Sequence, residues 1–305
     1  MKASSDFVLL DGAMGSALRA RGVTVPDHQT SIWSALALLE APDEIRELHC
    51  DYIRAGCDVI TTNNYAVTPV SLGRENMQAR LEELVISACD RANEARWQLG
   101  SNVRIAGSLP PLNISYRPDL VSPYEDLLCN YRVIAKVLAP RCDLIICETM
   151  TTSSEALAAA IAAAEMNLPV WVSFSLCDSP SEAENTLRGG ESIQQVIDRL
   201  KAVPVDAFLI NCTAVARATE AVKAIVAMTD NRIGVYANPF KYEPQSGDYS
   251  PEHQDYLDAE KYASAATVWY EAGASVIGGC CGTSPDFIAA VKEKINRMNS
   301  SSEQI

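Results

Sequence analysis

Eight short apolar runs, each with at least one β-branched residue, recur along the 305-residue chain with longer amphipathic stretches between them. The runs fall at residues 7–10, 58–61, 103–106, 144–147, 170–174, 207–210, 233–236 and 275–277. Most are continuously apolar, which marks strands buried on both faces, as in a parallel sheet. The intervening stretches, 43–55, 75–99, 123–138, 153–166, 192–200, 215–228, 258–272 and 285–298, read as helices. Pro42-Asp43-Glu44 is a helix start and Gly56 a stop, Gly100 stops the second helix, and Thr152-Ser153-Ser154-Glu155 supplies capping chemistry. Strand and helix alternating eight times predict an α/β chain folded as a single (β/α)8 TIM barrel with right-handed crossovers. An open doubly wound sheet would want a glycine-rich phosphate fingerprint after the first strand, and Asp11-Gly12-Ala13-Met14-Gly15 does not match it. The barrel is expected to span residues 1–298, and the serine-rich segment 299–305 is expected to be a disordered tail.

An apolar fraction of 48% and a charged fraction of 21% suit a soluble globular protein. No basic segment precedes an apolar stretch at the start, and no run reaches the ~18 apolar residues of a membrane span. A cytoplasmic protein without membrane attachment is therefore expected. The net charge of −14 argues against nucleic acid as a partner, since phosphate binding needs a cationic surface. In a reducing compartment, most of the ten cysteines are ordinary small buried residues. Cys50, Cys57, Cys89, Cys129, Cys142, Cys147 and Cys177 are read this way, most of them lying in apolar or helical stretches with no special neighbours.

Active sites of such barrels form at the carboxyl ends of the strands. The strand ends here carry Asp11-Gly12, Thr61-Thr62-Asn63-Asn64-Tyr65, Gly107-Ser108, Glu148-Thr149, Asn211-Cys212, Asn238 and Gly278-Gly279-Cys280-Cys281-Gly282. Three cysteines thus converge on strands six and eight, although 68 residues separate Cys212 from Cys280. Adjacent cysteines on a regular strand would face opposite ways, so the flanking glycines are expected to turn both sulfurs inward. Three thiolates suit zinc (Zn2+) with a fourth position open, as in catalytic sites. A buried or redox-active cysteine pair is the alternative. His28, His49 and His253 lie outside the strand ends and read as surface or helix residues.

In this order, Asp11-Gly12…Met14-Gly15, Glu148-Thr149, Asn211-Cys212 and Gly278-Gly279-Cys280-Cys281-Gly282-Thr283-Ser284-Pro285 resemble the homocysteine S-methyltransferase family across residues 6–298. The resemblance implies a methyltransferase whose small-molecule partners are homocysteine and a cationic methyl donor, with methionine as product. Cys212, Cys280 and Cys281 would hold zinc and activate the substrate thiol, which would attack the donor's methyl group. Asp11 and Glu148 would face the ammonium group of homocysteine, and backbone N–H groups near Gly12, Ala13 and Thr62 its carboxylate. Trp33 and Tyr65 are candidates for the donor pocket, because aromatic faces attract onium cations, or else ordinary core. Asn238, at the end of the seventh strand, is a further substrate candidate. Ile32-Trp33-Ser34-Ala35 is closer to the S-methylmethionine branch than to the betaine branch. Gly107-Ser108-Leu109-Pro110-Pro111 and Tyr236-Ala237-Asn238-Pro239-Phe240 depart from the family pattern, which leaves open betaine, another onium donor or a different thiol acceptor. Two other readings are a metal-free barrel lyase using Glu148, which lacks a strand-end lysine or histidine, and a non-enzymatic zinc- or thiol-binding barrel.

Overall fold

Strands with no polar face must be covered on both sides, and closing the sheet into a barrel meets that demand with side chains inside and helices outside. The computed structural model describes residues 7–178, 185–240 and 256–302. Its strands are β1 (Val8–Leu9), β2 (Val59–Thr61), β3 (Arg104–Leu109), β4 (Leu144–Met150), β5 (Val170–Phe174), β6 (Ala207–Ala214), β7 (Arg232–Asn238) and β8 (Val276–Gly279). They form one parallel sheet in which each strand from β2 to β8 pairs with its sequence neighbour and β8 pairs with β1. The seam between β1 and β2 is bridged at Leu10 and Val59, and the Asp58 N–H donates to the Leu9 carbonyl at 2.8 Å. The expected (β/α)8 barrel is what the chain forms.

One device recurs at the amino-terminal ends of the strands. Asp58, Asp143 and Asp206 open β2, β4 and β6, and each carboxylate accepts a backbone N–H from the strand before it. The donors are Leu9 at 2.8 Å, Ile105 at 2.7 Å and Val170 at 2.8 Å. These bonds pin neighbouring strands in register where the ladder begins. Inside the barrel, Leu10, Val59, Ile146, Trp171, Leu209 and Val276 pack as one buried cluster that closes the bottom of the mouth. A larger cluster lies between the strands and the helices.

The outer layer consists of helices Pro42–Arg54, Leu81–Gln98, Tyr124–Leu138, Ser153–Ala164, Ile193–Leu200, Val215–Ile225, Ala259–Ala272 and Pro285–Ser302. Two expectations need correction. The helix expected over 75–99 starts only at Leu81, because Asn76 sits in the left-handed region at φ 54° and ends the short helix Pro69–Arg74. The last helix does not stop at 298 but runs to Ser302, so 299–302 are helical instead of a disordered tail. Tyr270 holds this end by donating its hydroxyl to Asn299 at 3.1 Å. Among the described residues no helix is long and apolar enough to cross a membrane. The excursion after β1 is longer than a simple barrel turn: helix Gly15–Ala20 and the turn Trp33–Leu36 carry Trp33 over the mouth.

Candidate active site

The backbone of β6 decides where Cys212 points. Asn211 follows Leu209 on the inward face, so in a regular strand Cys212 would point toward the helices. Instead Cys212 takes φ 48°, and the β6–β7 register shifts between Asn211 and Ala214. This is a β-bulge, which re-aims a side chain at the end of a ladder. A second bulge lies two strands away, with Thr149 at φ 62° and a shift between Cys147 and Met150 of β4.

Cys280 and Cys281 lie past the end of β8, in a turn, so strand alternation does not govern them. Their neighbouring glycines therefore work differently from the expectation. Gly278 and Gly279 do not adopt left-handed backbone; they permit close approach. A Cβ on Gly278 would come within 2.7 Å of the Leu10 Cβ, and one on Gly279 would overlap Thr283. Gly282 alone of the three is left-handed, at φ 83°, and it closes the turn. Thr283 fastens the turn by donating its hydroxyl to the Cys280 carbonyl at 2.7 Å while accepting the Ala13 N–H at 3.1 Å.

The sulfurs of Cys212, Cys280 and Cys281 lie within 4.8 Å of one another, and all three cysteines are free. Hydrogen bonds from Cys280 and Cys281, with further ones from Tyr116 and Thr149, hold the Cys212 thiol well below the usual thiol range. Cys280 and Cys281 are pushed the other way, first by their bonding to Cys212 and then by burial. One thiolate therefore forms readily and opposes the next two. A divalent cation removes that opposition, and an all-sulfur donor set fits a thiolate-preferring metal ion.

The sulfurs open onto a pocket of about 1040 Å³, counting the space that runs into solvent. Asp11, Gly12, Ala13, Trp33, Thr62, Tyr65 and Glu148 all line it. Asn238 does not line it: it is fully buried at the end of β7, and its amide has no partner among the described residues. Burial raises Glu148 to about 8, against a hydrogen bond from Ser108, and the nearby Cys212 and Asp11 add to the rise. Burial likewise raises Asp11 to about 7, although Thr61 donates its N–H to Asp11 at 2.7 Å. Two buried carboxyls with raised pKa values beside a thiol cluster are poised to bind a cationic group.

Several expectations for the pocket walls change. The backbone N–H groups of Ala13 and Thr62 already donate within the protein, to Thr283 at 3.1 Å and to the Ala106 carbonyl at 3.0 Å. Asn63, which also lines the pocket, donates its Nδ2 to the Ser34 carbonyl at 3.1 Å, and its buried Oδ1 has no partner among the described residues. His28, read from sequence as a surface or helix residue, lines the pocket edge-on to Trp33 at 5.6 Å. His49 lies fully buried in helix Pro42–Arg54, and His253 falls outside the described residues. Tyr116 also lines the pocket, in the left-handed region at φ 65°, and Tyr65 is tied to the same loop through Ser115 at 2.8 Å. No local pattern in the loop after β3 marked Tyr116. Its place depends on the chain folding back over β6.

A family model described as homocysteine S-methyltransferase matches residues 8–295. The homocysteine S-methyltransferase of Escherichia coli is 33% identical over 313 residues, covering 95% of both chains. YbgG, a homocysteine S-methyltransferase of Bacillus subtilis, is 29% identical over 93% of both chains. Among solved structures, the metallated form of the E. coli homocysteine methyltransferase MmuM superposes with a TM-score of 0.81 at 31% identity, over 95% of this chain and 97% of that one. A match of this extent, together with the motifs at the barrel mouth, places the chain in the homocysteine S-methyltransferase family, a family of methyltransferase enzymes.

Proposed function

We propose that the chain moves a methyl group from an onium donor, S-methylmethionine by preference, to homocysteine, using zinc held by Cys212, Cys280 and Cys281. The observation that carries this reading is three free sulfurs converging on a pocket that also contains two buried carboxyls. When bound, zinc would lower the pKa of the homocysteine thiol so that it is ionised at neutral pH. Asp11 and Glu148 hold the ammonium group of homocysteine and so fix the distance of its sulfur from the cysteines.

Trp33 and His28 form the outer wall, where the donor's cationic sulfur sits. The Arg19 guanidinium already covers one face of the Trp33 ring, 5.0 Å from its centre, so the donor meets what the pocket leaves open. In transfer, the homocysteine sulfur forms a bond to the methyl carbon, the donor's sulfur–methyl bond breaks, and its electron pair returns to the donor sulfur. With S-methylmethionine both products are methionine. No base is needed at this step once the homocysteine thiol is ionised. Free cysteines also fit a reducing, cytoplasmic setting.

The test is zinc per chain, followed by incubation with homocysteine and one methyl-labelled donor at a time: S-methylmethionine, betaine or S-adenosylmethionine. One zinc per chain and labelled methionine, formed fastest from S-methylmethionine, are expected. Full zinc and full turnover in Cys280→Ser would sink the metal assignment, and faster transfer from betaine would overturn the donor assignment.

A further inference from the structure

We propose that the buried Arg188–Asp178 ion pair is a positioning device that keeps Cys212 in its inward-facing, left-handed conformation, and that metal affinity depends on it. This rests on the reading of Cys212 as a metal ligand. Both residues lie between β5 and helix Ile193–Leu200, and their side chains are only 9% and 5% exposed.

Their bonds converge on the two peptide groups that follow the Cys212 α-carbon. Arg188 Nη2 donates to the Cys212 carbonyl at 3.2 Å and to Asp178 Oδ2 at 3.0 Å. Arg188 Nε donates to Ser175 Oγ at 2.9 Å, and that hydroxyl donates to the same Cys212 carbonyl at 3.2 Å. The other Asp178 oxygen accepts the Ala214 N–H at 3.0 Å. The carbonyl of the strained residue itself thus has two donors, and the N–H two residues on has an anionic acceptor. A left-handed residue that carries a Cβ persists only where its surroundings over-determine it. Here the ion pair is what does so. The Arg188 guanidinium also stacks on the Tyr116 ring at 4.4 Å, so one side chain sets both the metal-facing thiol and a wall of the substrate pocket.

Net stability is a poor explanation for such a pair, because desolvating two charges offsets much of their attraction. Fixing the geometry of a ligand is a better one. Outer partners of metal ligands typically change metal affinity 10–100-fold when removed.

The test uses the full-length protein, with cobalt(II) as a spectroscopic stand-in for zinc. Arg188→Ala leaves Asp178 buried without its cation and can fail to fold, so the informative variants are Arg188→Lys and the double variant Asp178→Asn/Arg188→Met. The double variant keeps an acceptor for Ala214 and fills the space without charge. Chelator competition is expected to show cobalt affinity about 10–100-fold weaker in the double variant and partly restored in Arg188→Lys. The thiolate-to-cobalt absorption should change as well, while the melting temperature of the metal-free protein stays near wild type. A folded double variant with wild-type affinity and an unchanged spectrum would overturn the proposal. Wild-type protein that takes up no metal would defeat the ligand reading instead. The clamp is then read in metal-free protein from the equilibrium with glutathione disulfide, which joins Cys212 to Cys280 and releases two glutathione thiols. The clamp stands if that equilibrium falls about tenfold or more in the double variant, and fails if it is unchanged.

Discussion

Asn211 and Thr149 are bonded in both directions: the Thr149 N–H donates to Asn211 Oδ1 at 2.9 Å, and Asn211 Nδ2 donates to Thr149 Oγ1 at 2.8 Å. Ser173 donates to the same Asn211 oxygen at 2.7 Å. One amide therefore joins the bulge of β4, next to Glu148, to the bulge of β6, next to Cys212. Replacing Asn211 with Ala strands the Thr149 N–H and the Ser173 hydroxyl in a buried site, at about 1–3 kcal/mol for each group left unpaired. A loss of roughly 2–6 kcal/mol in urea unfolding is expected, together with weaker metal binding. Unchanged unfolding in Asn211→Ala would show that the two bulges are held by other contacts.

Trp33 stands against Gly15 with no room for a side chain between them. A Cβ there would meet the indole at 2.7 Å from Cζ2 and closer still at Nε1. Gly15→Ala must push the indole along the pocket wall while leaving the sulfurs where they are. The expected outcome is a KM for the methyl donor raised about tenfold, roughly 1.4 kcal/mol, with the KM for homocysteine and the metal content unchanged. Steady-state kinetics with both substrates varied separate this from a general loss of folding.

The carboxyl of Glu148, raised to about 8 by burial, must be ionised to hold an ammonium group. Methionine, which has the same ammonium group, should bind the metal-free protein more tightly as pH rises from 6 to 9. The gain comes in two parts, near 7 from Asp11 and near 8 from Glu148. Glu148→Gln should bind more weakly at pH 9 and lose the upper part of the rise. Titration calorimetry across this range would read both effects.

Glu155, 2% exposed at the start of helix Ser153–Ala164, accepts both the N–H and the hydroxyl of Thr151, at 3.0 and 3.1 Å. Burial nonetheless raises it from 4.5 to about 7. Its folded pKa lies above its unfolded one, so the folded state holds the proton more tightly. The resulting stability is fully present below pH 4.5 and is lost as pH rises through 7. The loss is at most about 3 kcal/mol between these limits. Glu155→Gln keeps an acceptor for Thr151 without a charge. Its urea midpoint should change less than that of wild type between pH 5.5 and 8.5, and equal slopes in the two proteins would refute this.

The sequence by itself determined the eight strand–helix repeats, because continuously apolar runs leave a strand no solvent face and only a covered parallel sheet accepts them. It also determined that Cys212, Cys280 and Cys281 belong to strand ends, since strand position follows from that local pattern. How those cysteines turn inward was decided by tertiary structure. The left-handed Cys212 is held from another segment by Arg188 and Asp178, and the Cys280–Cys281 turn by Thr283 against Ala13. His28, Asn63 and Tyr116 became pocket residues for the same reason: each is carried by an irregular connection, and only the folded barrel decides which side chain such a connection presents. Asn238 shows the opposite outcome, a strand-end residue that the surrounding packing buries outside the pocket. Periodicity is a property of neighbours along the chain, whereas the site is built from contacts between segments up to 270 residues apart.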